Sequence, residues 1–411
     1  MKEKFFTVVP PETVLSLTDH FDAVAVETVP LAQARNRVLG ENIQVTSDLP
    51  GFSRSAMDGF AVRAAATFGA SEGNPVYLEQ TTAVVMGQAP AFSLGPGQAA
   101  PIPTGGMLPA GADGVVMIEH TRLIDDTLLE ISKPVAPGEN VLSADEDYRA
   151  ADVALTRGSR LRGQEIGLLA AIGVTAVPVF RRPTVGIIST GDEVVPVDQT
   201  PSPGQIRDIN THTLAALTEE AGGLPVTFGI VGDRLDLLRE QALAALSSCD
   251  MVLLSGGSSL GARDFTLELV ETLPRSEILV SGIAIRPGKP TILARVGGKP
   301  FWGIPGQVTS AMIVFSIIVR PFLNRLAGLS EEAPGRTRTV SALAGRNIPS
   351  VHGRVDYVRV KLTEGQGTLR AEPVFGKSGL LRSMVAADGL IKIDADTEGL
   401  AAGTPVTVLC F

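Results

Sequence analysis

The stretch that most constrains the fold is residues 183–193, PTVGIISTGDE. A short, continuous β-branched run, Val185 to Ile188, leads into a Ser-Thr-Gly turn followed by two adjacent carboxylates, Asp192 and Glu193. Apolar runs bounded by turn residues suit strands buried on both faces of a parallel sheet, and such sheets bind ligands beyond their carboxyl ends. The pattern recurs twice. DMVLL at 250–254 enters SGGSSLG at 255–261, and FWGI at 301–304 enters Pro305-Gly306-Gln307 ahead of a long apolar segment. Three strand ends with small-residue turns form a candidate ligand site at Ser189, Thr190, Gly191, Ser255, Gly256, Gly257, Pro305 and Gly306. There the backbone can approach a ligand closely, and N–H groups favour phosphate or another oxyanion.

Between about 182 and 328, strands alternate with helices: strands at 185–188, 226–231, 251–254 and 301–304, a strand pair around 278–295, and helices at 209–221, 235–247, 264–272 and 307–326. Alternation of this kind implies a doubly wound, mainly parallel sheet domain. Residues 47–142 read as a small β-rich domain, from their short segments and frequent Gly and Pro. Residues 335–411 alternate without a long helix and read as a C-terminal β-barrel-like domain. Residues 1–46 read as mostly helical. With 143–181, which contain a helix at 162–172, they form a discontinuous helical scaffold domain. The fold class is thus multidomain α/β plus β.

With 411 residues the chain exceeds a single core, and its net charge of −9 argues against nucleic-acid or anionic-membrane partners. Two cysteines, Cys249 and Cys410, make no disulfide framework. The N-terminal stretch lacks a signal-peptide apolar run, and the run Ala311 to Val319 is too short for a membrane span, so a cytoplasmic location is expected. The four histidines have no ligand spacing, and neither a P-loop nor a dinucleotide fingerprint is present.

Candidate chemistry rests on carboxylates and cations. Asp192 and Glu193, with Asp233 and Asp264 near other strand ends or helix starts, offer the hard oxygens that Mg²⁺ takes when it bridges protein and phosphate. Both Asp233 and Asp264 have a helix-cap alternative, and for Asp233 cap and ligand weigh about equally. Arg286 and Lys289, in the Pro-stiffened turn RPGKP, could form an oxyanion pocket. On residue chemistry alone, Asp58 and Thr104 are ordinary turn residues.

Taken together, SAMDGFAV (55–62), PTGGMLPAGADGVV (103–116), STGDEVV (189–195), SGGSSLGARDF (255–265), RPGKP (286–290) and GIPG (303–306) closely resemble the molybdopterin molybdenumtransferase family, also represented by the C-terminal domain of gephyrin. The resemblance spans essentially the whole chain. It implies four domains and a homodimer whose cleft joins the doubly wound domain of one copy to the β-rich domain of another. The implied reaction takes adenylylated molybdopterin and molybdate, uses Mg²⁺ and releases AMP, with the upstream molybdopterin adenylyltransferase as a further partner. Under this resemblance Asp192, Glu193 and Asp264 serve the metal, and Asp58, Thr104, Glu193, Asp233 and Asp264 serve catalysis. Arg286, Lys289, Ser310, Arg359 and Ser378 hold the oxyanion. The chain departs from the family pattern at Gln307-Val308 (usually Asn-Pro), Ser258, Gly282 and Ser143–Asp147. These departures keep open a tungstate-specific transferase and a non-catalytic molybdopterin-binding scaffold.

Overall fold

A computed structural model describes residues 8–256, 260–332, 338–365 and 367–411, with backbone alone for 260–264. The chain forms two compact units, one of residues 1–41, 157–162 and 176–411, the other of 42–156 and 163–175.

The first unit is built on a six-stranded sheet. Its strands are β1 (Thr184–Thr190), β2 (Leu224–Val231), β3 (Met251–Gly256), β4 (Ser276–Val280), β5 (Ile292–Val296) and β6 (Lys299–Pro305), in the spatial order β2-β1-β3-β6-β5-β4. β2, β1, β3 and β6 run parallel, while β5 is antiparallel to both β6 and β4. Successive side chains alternate between faces. Val185, Ile187, Met251, Leu253 and Trp302 therefore join one core with Leu214, Phe315 and Phe322, whereas Ile188, Val252, Leu254 and Phe301 join another with Leu238, Ala242 and Leu269. Burial on both faces is why these strands are continuously apolar rather than alternating.

Helices α1 (Asn210–Glu220), α2 (Leu235–Ser248) and α3 (Leu260–Thr272) fall where the alternation predicts them. Residues Val308–Leu326 form a long helix whose centre, Phe315–Val319, has a π-helical turn. Among the described residues it alone is long and apolar enough to cross a membrane, and it lies mostly buried in the core.

The C-terminal segment closes a barrel. Val355–Gly365 pairs with Thr368–Pro373 and Gly389–Ile393, and Thr339–Ala344 pairs with Thr368–Pro373 and Pro405–Cys410. Pairing of Gly389–Ile393 with Pro405–Cys410 completes the ring. Val360, Ala371, Ile391 and Val408 fill it. A two-residue strand, Ile285–Arg286, adds to its rim in parallel register, setting Arg286 opposite Asp356.

The expectation of mostly helical structure over 1–46 is corrected. Among the described residues of that segment, helix is confined to Pro11–Ser16 and to 3-10 turns at Leu17–His20 and Leu31–Gln33. Its long-range anchor is a strand, Val26–Pro30, paired antiparallel with Ala176–Phe180. The β-branched Val-Glu-Thr-Val sequence suits that pairing. The expected scaffold piece 143–181 is also divided: 157–162 and 176–181 group with the N-terminal segment, and the rest, including the helix Gly163–Ala171, groups with the β-rich unit.

That second unit carries a six-stranded sheet, ordered Gly114–Met117, Gly59–Val62, Gln98–Ile102, Val76–Gln80, Leu128–Ile131 and Thr121–Leu123. Val62, Leu78, Ala99, Val116, Leu129 and Ile131 pack one of its cores, and Ala61, Ala100, Ile102 and Val115 a second.

Candidate active site

The carboxyl ends of β1, β3 and β6 line a cavity of about 300 Å³, together with Glu193, Arg207, Asp208, Asn210 and Gln307. Two glycines are required by its geometry. Gly191 has φ +143°, and a Cβ there would meet the Glu193 carboxylate at 2.7 Å. A Cβ on Gly256 would lie 1.9 Å from Thr190 Cγ2, so this strand end closes against Thr190 only because Gly256 has no side chain.

Hydrogen bonds hold the polar groups in fixed positions. The Thr190 hydroxyl donates to Asp233 Oδ1 at 2.7 Å, and the Asp233 backbone N–H donates to Asp192 Oδ1 at 3.1 Å. The three predicted acids Asp192, Glu193 and Asp233 are exposed at this end of the sheet. The Ser189 hydroxyl donates to the buried Asp208 at 3.2 Å, and the Asn210 amide donates to Ser255 Oγ at 2.7 Å and to the Gly306 carbonyl at 2.8 Å. Asn210 Oδ1 is buried with no protein partner. It is an acceptor left without a bond inside the protein. Sequence reasoning missed Asp208 and Asn210, because Asp and Asn ahead of a helix read as caps. A signal was available in the IRDIN pattern, where Asp208 stands just before a helix that Asn210 opens.

A second cavity, about 530 Å³, opens between the Ile285–Arg286 strand and the barrel. Arg286, Arg359 and Lys377 bring positive charge to it, and Asp356 brings a carboxylate. Arg286 Nη1 lies 3.7 Å from Asp356 Oδ2 and is otherwise largely exposed, whereas Arg354 Nε donates to Asp356 Oδ1 at 2.9 Å. Arg359 donates to the Gly376 carbonyl at 2.7 Å and to Ser383 Oγ at 2.6 Å, so one donor holds the 374–378 loop and another the short helix Arg382–Val385. Burial lowers the Arg359 pKa from its ordinary value, and the guanidinium still stays cationic. Burial also pushes the Tyr357 hydroxyl up to about 12, leaving it neutral at physiological pH.

Ser378 lines this cavity, and its carbonyl accepts from the Thr309 hydroxyl at 2.7 Å. Lys289 is exposed but does not line the cavity, and Ser310 lies buried in the helix away from it. Lys377, a cation not singled out from sequence, lines it instead. Gln307 borders both cavities, and Gly379 borders the first just beyond Ser378 of the second. The predicted strand-end site and the predicted oxyanion site are therefore neighbours within one unit.

Asp58 and Thr104 belong to the β-rich unit and bind each other. Asp58 Oδ1 accepts from the Thr104 N–H at 2.7 Å and from its hydroxyl at 2.9 Å. These bonds hold the carboxyl below the usual carboxylate range, the backbone bond contributing most.

The predicted Gly257 and the side chain of Asp264 lie outside the described residues. Among the described residues no group of three His, Cys, Asp or Glu side chains is placed to hold a metal ion. Mg²⁺ commonly takes one or two carboxylates and completes its shell with water and substrate phosphate, and the exposed Asp192 and Glu193 would be the pair to hold it here.

Three family models match in sequence order: the MoeA N-terminal region (domain I and II) over 9–173, a probable molybdopterin binding domain over 186–325, and the MoeA C-terminal region (domain IV) over 341–411. A molybdopterin molybdenumtransferase of Bacillus subtilis is 33% identical over 98% of this chain and 94% of its own. One from Nostoc is 38% identical over 74% of this chain and 70% of its own. The crystal structure of a molybdopterin biosynthesis MoeA protein from Pyrococcus horikoshii OT3 superposes with a TM-score of 0.81 at 30% identity, covering 98% of this chain and all of that one. With its Gly-lined strand ends beside a cation-lined cavity, and with relatives matching over nearly its full length, the chain belongs to the molybdopterin molybdenumtransferase family, enzymes of molybdenum cofactor biosynthesis.

Proposed function

We infer that the chain takes molybdopterin in its adenylylated form, cleaves the adenylate, and places molybdenum from molybdate on the dithiolene with release of AMP. The observation that carries this reading is the wall at Gln307 shared by the two cavities. A phosphate-bearing ligand at the strand ends can extend from there toward an oxyanion beside Arg286.

In this reading the glycine-rich strand ends of β1, β3 and β6, with Asn210 beside them, receive the adenylate and phosphate parts, and the pterin extends past Gln307 into the second cavity. Mg²⁺, held by Asp192 and Glu193 with Asp264, would offset phosphate charge. Asp233, fixed by Thr190, orients the nearby polar groups. Arg286 and Lys377 bind the molybdate dianion, and Arg359 adds positive charge while holding the loop that bears Ser378. These cations offset repulsion between two anionic substrates before sulfur replaces oxygen on molybdenum. Asp58 and Thr104 enter the site through a second copy of the chain in a cytoplasmic homodimer, which receives its substrate from the upstream molybdopterin adenylyltransferase.

The test is AMP release by purified protein given adenylylated molybdopterin and Mg²⁺, with and without molybdate. Molybdate-dependent release is expected. Substrate binding with no molybdate-dependent release would sink the reading in favour of a binding scaffold, and release only with tungstate would favour a tungstate enzyme.

A further inference from the structure

The cavity beside Arg286 is larger than an oxyanion requires. A tetrahedral oxyanion occupies ~120 Å³ if each oxygen takes the ~30 Å³ of a water molecule. The cavity measures about 530 Å³, within the ~300–1,000 Å³ of sites for small organic ligands. The remaining space is bordered by an aromatic ring. Phe375 lines the cavity, is 55% exposed, and lies in the same loop as Lys377 and Ser378.

Phe375 is also held in place. The Arg346 guanidinium sits 5.0 Å from the ring centroid and donates to the Pro373 carbonyl at 2.9 Å. Val374 donates its N–H to the Arg359 carbonyl at 2.8 Å, and Arg359 Nη2 binds the Gly376 carbonyl. The ring thus has one face covered by an anchored cation while its backbone is tied on both sides. With Arg346 over one face, the other is the face left for a flat ring to stack on. Isolated exposed apolar side chains need no explanation. A phenyl ring fixed at the edge of a charged cavity that has unfilled space differs from that ordinary case.

We propose that Phe375 is a stacking platform for the flat heterocycle of the substrate, a specificity-determining residue that sets the pterin over the cavity while Arg286 and Lys377 hold the oxyanion. This rests on the reading of the site as one for molybdopterin and molybdate. A heterocycle stacked on an aromatic side chain loses that contact when the ring is removed, so binding is expected to weaken roughly tenfold, about 1.4 kcal/mol.

The test measures binding of pterin-6-carboxylate by fluorescence quenching, and binding of molybdate by calorimetry, on the full-length protein. The variants are Phe375→Ala, Phe375→Tyr and Arg286→Ala, with thermal melting as a fold check. Phe375→Ala should lose about tenfold in pterin affinity with molybdate affinity unchanged. Phe375→Tyr should keep pterin affinity, and Arg286→Ala should lose molybdate and keep pterin. Unchanged pterin affinity in Phe375→Ala overturns the platform alone, whereas a wild-type protein that binds molybdate but no pterin overturns both the platform and the pterin site. Equal loss of both ligands in Phe375→Ala would mark the ring as structural and overturn the proposal as well.

Discussion

Arg286 and Asp356 stand opposite each other where the two-residue strand Ile285–Arg286 pairs in parallel with the start of Val355–Gly365, with Nη1 3.7 Å from Oδ2. The carboxylate is buried and bonded to Arg354, while the Arg286 side chain is 63% exposed. One end of the pair is thus fixed and the other is free to meet an anion. Asp356→Ala removes the acceptor of Arg354 Nε, whose side chain is 34% exposed, and should cost about 0.5–1.5 kcal/mol. A lowered urea midpoint would register it, and an unchanged midpoint would show that the pair is not structural.

Arg286→Ala removes an exposed charge and should spare folding. Loss of a charged hydrogen-bonding group is worth roughly 1.5–3 kcal/mol, so the apparent KM for molybdate should rise about ten- to hundredfold. Affinity for AMP alone should hold. Equal loss of both would mean that Arg286 serves the phosphate cavity instead.

Gly256→Ala should displace Thr190, because the added Cβ falls 1.9 Å from Thr190 Cγ2. Overpacking of this kind costs about 1–3 kcal/mol, and it would also break the Thr190–Asp233 bond. The double variant Gly256→Ala/Thr190→Ser lacks that methyl and keeps the hydroxyl, so it should recover most of the melting temperature. The two changes should be strongly non-additive. Additive losses would contradict the contact.

Asp58 titrates below its ordinary value of 3.8, because the ionised form accepts two bonds from Thr104. Its folded pKa is depressed, so its contribution to stability is fully present above 3.8 and is lost as pH falls through the lowered value. Thr104→Ala deletes the hydroxyl bond and keeps the backbone bond, and should raise the Asp58 pKa part of the way back. Carboxyl NMR titration of the two proteins reads this directly, and no difference would remove the hydroxyl from the account.

What the order of amino acids determines by itself is local. The apolar run Val185–Ile188 marks a strand because few arrangements other than a doubly covered sheet bury every side chain of so short a segment. α1, α2 and the strands beside them likewise follow from periodicity and turn residues. The N-terminal segment misled because the partner of Val26–Pro30 lies at Ala176–Phe180, far along the chain, and strand formation depends on such partners more than on intrinsic preference.

The candidate site divides in the same way. Residue chemistry and spacing by themselves marked the Gly-rich strand ends, the acids at 192 and 193, and Arg286. The family motifs added Asp58 and Thr104, whose mutual hydrogen bonds no spacing rule could supply. Only the tertiary structure set Asp356 opposite Arg286, put Lys377 rather than Lys289 on the cavity wall, turned Asn210 Oδ1 to a place without a protein partner, and made Gln307 common to both cavities. The first two and the last depend on where the barrel meets the segments beside it, and the Asn210 placement on how α1 meets the strand ends at Ser255 and Gly306. Such a meeting follows from packing between segments distant in sequence, which local pattern does not encode.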